Sequence, residues 1–232
     1  MSSVPVILAS AIASLMIFIV IVLLAAHYTS CNLLDFWVED SWLESIAYAA
    51  LIAIAAIFFS FINLKIVDGP PPVSMNITGA LVPLLVSCLI IIFRRIKIAQ
   101  LVISVPTITV LSYAFADIRN GQIVIDFPFW LVISAVAALC AYIFSDEKDL
   151  MQASAISYVA ASLGAFIGLD VLQLVSIWGN ETGEFIFGAG GIIDFVFLAG
   201  IIAIAVLWTA TISASCVRRI IDVDHKRVNK ET

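Results

Sequence analysis

The chain has 232 residues, 63% of them hydrophobic and 12% charged, with a mean hydropathy of +1.15, whereas soluble domains run near half apolar and a quarter charged. That balance excludes an ordinary soluble domain and predicts an all-α fold, a polytopic transmembrane helical bundle of about seven spans forming a single integral membrane domain over 1–232. The net charge of −6 offers no basic surface for nucleic acid, so the partner that composition implies first is the lipid bilayer.

The first apolar run, 4–26, has no basic segment before it and exceeds the length of a cleaved signal's core, so it reads as a retained span. An interfacial stretch with Trp37 and Trp42 follows, aromatic residues suited to the headgroup level. The second span covers 43–64 and ends at Lys65, before Asp68, Gly69 and the proline run Pro70, Pro71, Pro72; three consecutive prolines predict a rigid, extended connection. The third, 77–93, is short and carries Gly79 and Pro83, which predicts a broken or tilted helix. Arg94, Arg95 and Lys97 close it.

Span four, 98–114, contains Pro106 and gives way to a polar turn around Asp117, Arg119, Asn120 and Gly121. Span five, 127–144, is separated by Asp146, Glu147, Lys148 and Asp149 from span six, 152–177. A loop through Asn180, Glu181 and Glu184 leads to span seven, 188–216, and a basic tail.

Orientation follows from lysine and arginine, since acidic residues contribute little to the rule. With the C-terminus cytoplasmic, Arg94, Arg95, Lys97, Lys148, Arg218, Arg219, Lys226, Arg227 and Lys230 face inward, and only Lys65 and Arg119 face outward. Seven spans then put the N-terminus outside, in what is expected to be a plasma membrane. The sequons at Asn76 and Asn180 both fall on the outer side in this arrangement.

The chemistry points to two residues. Span six carries Asp170 and span seven Asp194, and a carboxylate within hydrocarbon costs about 2.5–3.5 kcal/mol on insertion scales, so it defaults to a functional-site reading. Each lies roughly 10 Å below the outer surface at 1.5 Å per helical residue. Two close carboxylates in a low-dielectric site cannot both ionise cheaply, which leaves one proton on the pair, as in aspartic proteases. The same pair is equally suited to binding a cation or relaying a proton, and the bland alternative is a hydrogen-bonded structural pair in a subunit without chemistry.

Gly164 and Gly168 form a small-xxx-small face expected to let span seven approach closely, while Gly188, Gly190 and Gly191 allow a non-helical entry into span seven. Cys31, Cys88, Cys140 and Cys216 form no CxxC pair, and His27 and His225 have no partners at metal spacing, so neither a metal nor a cofactor is expected. Ser104, Thr107 and Thr109 lack a His or Lys companion at the same depth, which disfavours a serine nucleophile.

Three blocks resemble a prokaryotic family of multi-pass membrane proteins known as domain of unknown function 1614. They are Asn76-Ile77-Thr78-Gly79-Ala80-Leu81-Val82-Pro83-Leu84, the stretch from Tyr158 through Gly164 and Gly168 to Asp170, and Gly188-Ala189-Gly190-Gly191-Ile192-Ile193-Asp194-Phe195-Val196-Phe197-Leu198. The resemblance implies that Asp170 and Asp194 are the family's acidic positions and brings no established activity. The order of Asp170, a loop, a glycine-rich entry and Asp194 is also similar, more distantly, to the GxGD intramembrane aspartyl proteases of the presenilin and signal-peptide-peptidase type. That likeness implies catalytic roles for both aspartates and a transmembrane peptide as substrate, with other membrane subunits as alternative partners. Two isoleucines, Ile192 and Ile193, stand where those enzymes place a glycine beside the aspartate, and no tyrosine precedes Asp170.

Overall fold

A computed structural model describes residues 54, 56–68, 72–94, 96–119, 122–145, 149–177 and 184–231. The predicted first span lies outside the described residues, as does most of the second. In chain order the elements are strand β1 (Asn63–Val67), strand β2 (Val73–Asn76), a π turn (Ile77–Leu81) opening helix α1 (Val82–Phe93), helix α2 (Ile98–Phe115), strands β3 (Ala116–Arg119) and β4 (Gln122–Ile125), and helix α3 (Phe129–Phe144). Helix α4 (Leu150–Ala165) follows and continues through a second π turn (Phe166–Val171) into α5 (Leu172–Ile177); strand β5 (Phe185–Phe187), a 3-10 turn (Gly191–Ile193) and helix α6 (Phe195–Glu231) complete the chain.

The bundle is built around α4. Its residues are mostly Ala, Ser and Gly, which let neighbours approach on every side, and α1, α2, α3 and α6 all pack on it. In the most apolar 18-residue stretch of each, 67% of residues are buried within Leu150–Val175, against 22% for Ile98–Phe115 and 39% within the apolar part of α6, Phe195–Ala214. The outer helices therefore keep apolar faces turned outward, among them Leu85, Leu89, Val102, Val110, Leu139 and Ile143, as lipid contact requires. These three helices are long and apolar enough to cross a membrane, and Ile77–Phe93 and Phe129–Phe144 are shorter apolar rods.

The connections correct the expectation of an all-helical chain. Residues 63–64, assigned above to span two, belong to β1, because the helical segment gives out after Phe59 and a strand of Leu, Ile and Val follows. β1 pairs antiparallel with β2, Asn63 opposite Asn76, and β2 pairs parallel with β5, Val73 opposite Phe185. Asp117 and Arg119, expected in a polar turn, lie instead in β3, which pairs antiparallel with β4, Ala116 opposite Ile125 and Arg119 opposite Gln122; Asn120 and Gly121 lie outside the described residues. Both sheets cap the same end of the bundle, where Ile123 packs beside Val73, Phe185 and Phe187. At the opposite end the buried Gln100 accepts from the Lys97 N–H at 3.1 Å and donates to the Phe144 carbonyl at 2.9 Å.

Helix α6 begins at Phe195, seven residues later than the expected start of span seven. Asp194 is accordingly no longer within a helix but at its N-cap, with extended backbone (φ −65°, ψ 141°). The Gly164 and Gly168 face also lies elsewhere than expected. A Cβ at Gly164 would come within 2.6 Å of Ile108, and one at Gly168 within 2.5 Å of the Thr109 carbonyl oxygen, so this face receives α2, not span seven. The close approach of α6 to α4 runs instead through Gly200, whose Cβ would meet Ser162 Oγ and the Tyr158 ring, each at 2.5 Å. The reason is parity of packing: α4 meets neighbours all round, and the glycine stripe records only which neighbour comes closest.

Candidate functional site

Asp170 sits in the second π turn of the central rod, 7% exposed. A π turn inserts one residue into a helix and swings side chains off the ordinary stripe, a distortion frequent at functional sites. Its carboxyl accepts the Gly188 N–H, while Oδ2 is buried with no hydrogen-bond partner. Among the described residues no donor meets that oxygen, and a buried acceptor left unmatched costs on the order of 1–3 kcal/mol, which sets it apart from the other carboxyl oxygens of the site.

Asp194 is bound differently. Its Oδ1 accepts the Val196 N–H at 2.9 Å, the N-cap bond of α6, and its Oδ2 accepts the Gly190 N–H at 3.1 Å. Both oxygens are thus oriented by backbone amides at a helix N-terminus. One loop thus supplies an amide to each carboxyl, Gly188 N–H to Asp170 and Gly190 N–H to Asp194, and so brings the two aspartates that the sequence singles out to the same end of the rod.

The loop between them is shaped by glycines. Gly188 (φ +68°) and Gly191 (φ +58°) occupy the left-handed region that L side chains rarely adopt, and the Gly191 N–H closes the turn on the Gly188 carbonyl at 2.9 Å. Gly190 has an ordinary φ but sits against the Asp194 backbone, where a Cβ would stand 3.0 Å from Cα and N. All three glycines of the expected non-helical entry therefore build the loop that carries Asp194. Gly164 and Gly168 lie on the α2 face of the same rod and do not border the pair through any contact of the loop.

Two residues of the site escaped the sequence reading. Gly79 presses on the loop so closely that a Cβ there would fall 2.1 Å from the Gly188 carbonyl oxygen. Asn76 was legible as a glycosylation sequon and as the start of the first resembling block but not as a site residue, and the structure encloses it: it is 2% exposed and its Nδ2 donates to the Ser60 carbonyl at 2.7 Å and to Asn63 Oδ1 at 2.9 Å. An amide so enclosed is no acceptor for a glycan in the folded protein. Its Oδ1 accepts the Gly79 N–H at 2.8 Å, an N-cap geometry for which the three-residue spacing was the available signal.

A central apolar rod packed by two further helices long enough to cross a membrane, with Asp170 buried near its capped end, defines a mostly helical membrane protein. The family model described as "Protein of unknown function (DUF1614)" matches residues 44–206, more than half of the chain, and the protein belongs to that family. No curated protein and no solved structure matches it. The three resembling sequence blocks meet in space at this site: Gly79 from the first, Asp170 from the second, and Gly188 with Asp194 from the third.

Proposed function

We propose that Asp170 and Asp194 form an acid–base dyad and that the protein is an intramembrane aspartyl hydrolase acting on a transmembrane peptide. The observation that carries this reading is the asymmetry of the pair. Asp194 is fixed by two backbone amides, while Asp170 keeps one buried oxygen without a protein partner beside it. With one proton shared between the carboxyls, the ionised member takes a proton from a water whose oxygen attacks the peptide carbonyl carbon, and the protonated member gives its proton to the carbonyl oxygen. Collapse of the tetrahedral intermediate breaks the C–N bond as a proton passes to the leaving nitrogen, giving a carboxyl and an amine.

The orientation proposed with it places the sheet-capped end outside, seven spans in all, and the basic connection at Arg94 and Lys97 in the cytoplasm of a plasma-membrane protein. The test is to reconstitute the full chain with single-span peptides and to identify products by mass spectrometry. Cleavage that vanishes in both Asp170→Asn and Asp194→Asn, with folding retained, supports the dyad; cleavage that survives either change refutes it.

A second reading, a proton- or cation-coupled transport component, is favoured by hydroxyls inside the bundle. Thr109 and Ser112 on α2 and Ser157 on α4 bury their oxygens without a hydrogen-bond partner among the described residues. On the same helices Ser104 and Ser154 bond back to the carbonyls of Gln100 and Leu150 at 2.6 and 2.7 Å. Unmatched hydroxyls leading inward from the pair suit a hydrated proton route. Proton flux into vesicles, lost in both aspartate variants without any cleavage, selects this reading.

A further inference from the structure

We propose that Asn76 is a positioning residue for the Asp170–Asp194 pair, acting through the two backbone segments between which the aspartate loop is held; the proposal rests on that pair being the working site. One buried side chain binds both segments, since Asn76 donates to the Ser60 carbonyl at 2.7 Å and accepts the Gly79 N–H at 2.8 Å. Each segment then bears on the loop. Gly79 packs on Gly188, and a Cβ at Gly188 would stand 2.5 Å from both Gly79 C and Ala80 N. On the other side Gly191 packs on Ser60, where a Cβ would meet Ser60 Cβ at 2.9 Å and its carbonyl oxygen at 3.3 Å.

The loop's amides in turn reach the carboxyls, Gly188 N–H to Asp170 and Gly190 N–H to Asp194. Such contacts leave no slack, because all of them are backbone against backbone or against a short side chain. Removing the Asn76 amide takes one hydrogen bond from the Ser60 carbonyl and one from the Gly79 N–H together, and both walls of the loop loosen at once. Asn63, the third partner at 2.9 Å, ties the same side chain to β1 and holds it in its rotamer.

Thr78 supplies the control. It lies in the π turn beside Gly79, fully buried, and its Oγ1 donates at 2.8 Å to the Ala56 carbonyl, which also accepts from the Ser60 N–H and hydroxyl; removing the Thr78 hydroxyl leaves those two Ser60 bonds and the loop contacts of Gly79 and Gly191 in place. A merely structural role for Asn76 predicts that Asn76→Ala and Thr78→Ala behave alike.

The readout is the carboxyl stretching band of Asp170 in the infrared spectrum of the full-length protein in lipid, identified by its loss in Asp170→Asn. Asn76→Ala is expected to displace that band, because the Gly188 bond to the carboxyl is altered, while Thr78→Ala leaves it in place. Where cleavage is measurable, Asn76→Ala lowers kcat by at least about tenfold with KM unchanged, as displacement of a reacting group does. An unmoved band in Asn76→Ala, or an equal displacement in Thr78→Ala, overturns the proposal. A displaced band in a protein that cleaves nothing leaves the positioning role standing and removes the hydrolase reading instead. Should Asn76→Ala fail to fold, Asn76→Asp keeps the acceptor for Gly79, drops both donors, and decides by the same band.

Discussion

Replacing Gly79 by alanine tests the core of the site with a single methyl group. The new Cβ would lie 2.1 Å from the Gly188 carbonyl oxygen, 2.9 Å from its carbon and 3.0 Å from its Cα. Carbon–oxygen contacts settle at about 3.3 Å or more, so a gap of roughly 1.2 Å must open. No side chain can rotate away, since every atom struck is backbone. The π turn of α1 is anchored by Asn76, and the Gly188 turn is closed by its own bond to Gly191, so the loop moves as a unit and takes the Gly188 amide from Asp170. Overpacking costs about 1–3 kcal/mol, and a lost hydrogen bond about 0.5–1.5 kcal/mol, which gives a destabilisation of roughly 1.5–4.5 kcal/mol when the two act together. Gly164→Ala is the comparison, because its Cβ strikes Ile108 Cβ at 2.6 Å, Ile108 Cγ2 at 2.7 Å and the Val105 carbonyl oxygen at 3.1 Å, so α2 must shift, and it is expected to cost about 1–3 kcal/mol, less than Gly79→Ala because no hydrogen bond to an aspartate is lost with it. Equilibrium unfolding of both variants in mixed micelles reads the difference. A Gly79→Ala protein within about 0.5 kcal/mol of the parent, or one less affected than Gly164→Ala, would refute the reasoning.

Other consequences are equally direct. Asp194→Ala removes both the N-cap bond of α6 and the bond to Gly190 and should cost about 1–3 kcal/mol in the same unfolding assay, whereas Asp194→Asn keeps an acceptor for the Val196 N–H, loses only the one from Gly190, and should cost about 0.5–1.5 kcal/mol; activity lost in an Asn variant that stays folded then belongs to chemistry and not to folding. Gly200→Val places its branched side chain against Ser162 and Tyr158 and should separate α6 from α4, lowering stability by about 1–3 kcal/mol without the selective displacement of the Asp170 infrared band expected for Asn76→Ala. For the proposed orientation, a cysteine in place of Lys65, in a background without native cysteines, should react with a membrane-impermeant thiol reagent added to intact cells, while one in place of Lys97 should react only after the membrane is opened.

The amino-acid sequence by itself determined the membrane class, because a charged fraction of 12% over 232 residues leaves no way to solvate the helices except lipid. It located helices at 77–93, 98–115 and 129–144 to within two residues, since hydrophobic length is a local property. It also singled out Asp170 and Asp194, because an ionisable group in an apolar run stands out without any partner being known. Other features needed the third dimension. The start of α6 at Phe195 was hidden because Ile192 and Ile193 continue the apolar run, while the positive-φ glycines and the Asp194 cap that end the turn act through backbone geometry. Which helix the Gly164 face receives depends on how neighbours divide the surface of α4, and no spacing within one helix encodes that. The β2–β5 pairing joins segments more than a hundred residues apart, and Asn76 acquires its role only because that pairing and the π turn bring Ser60, Gly79 and the aspartate loop around one amide.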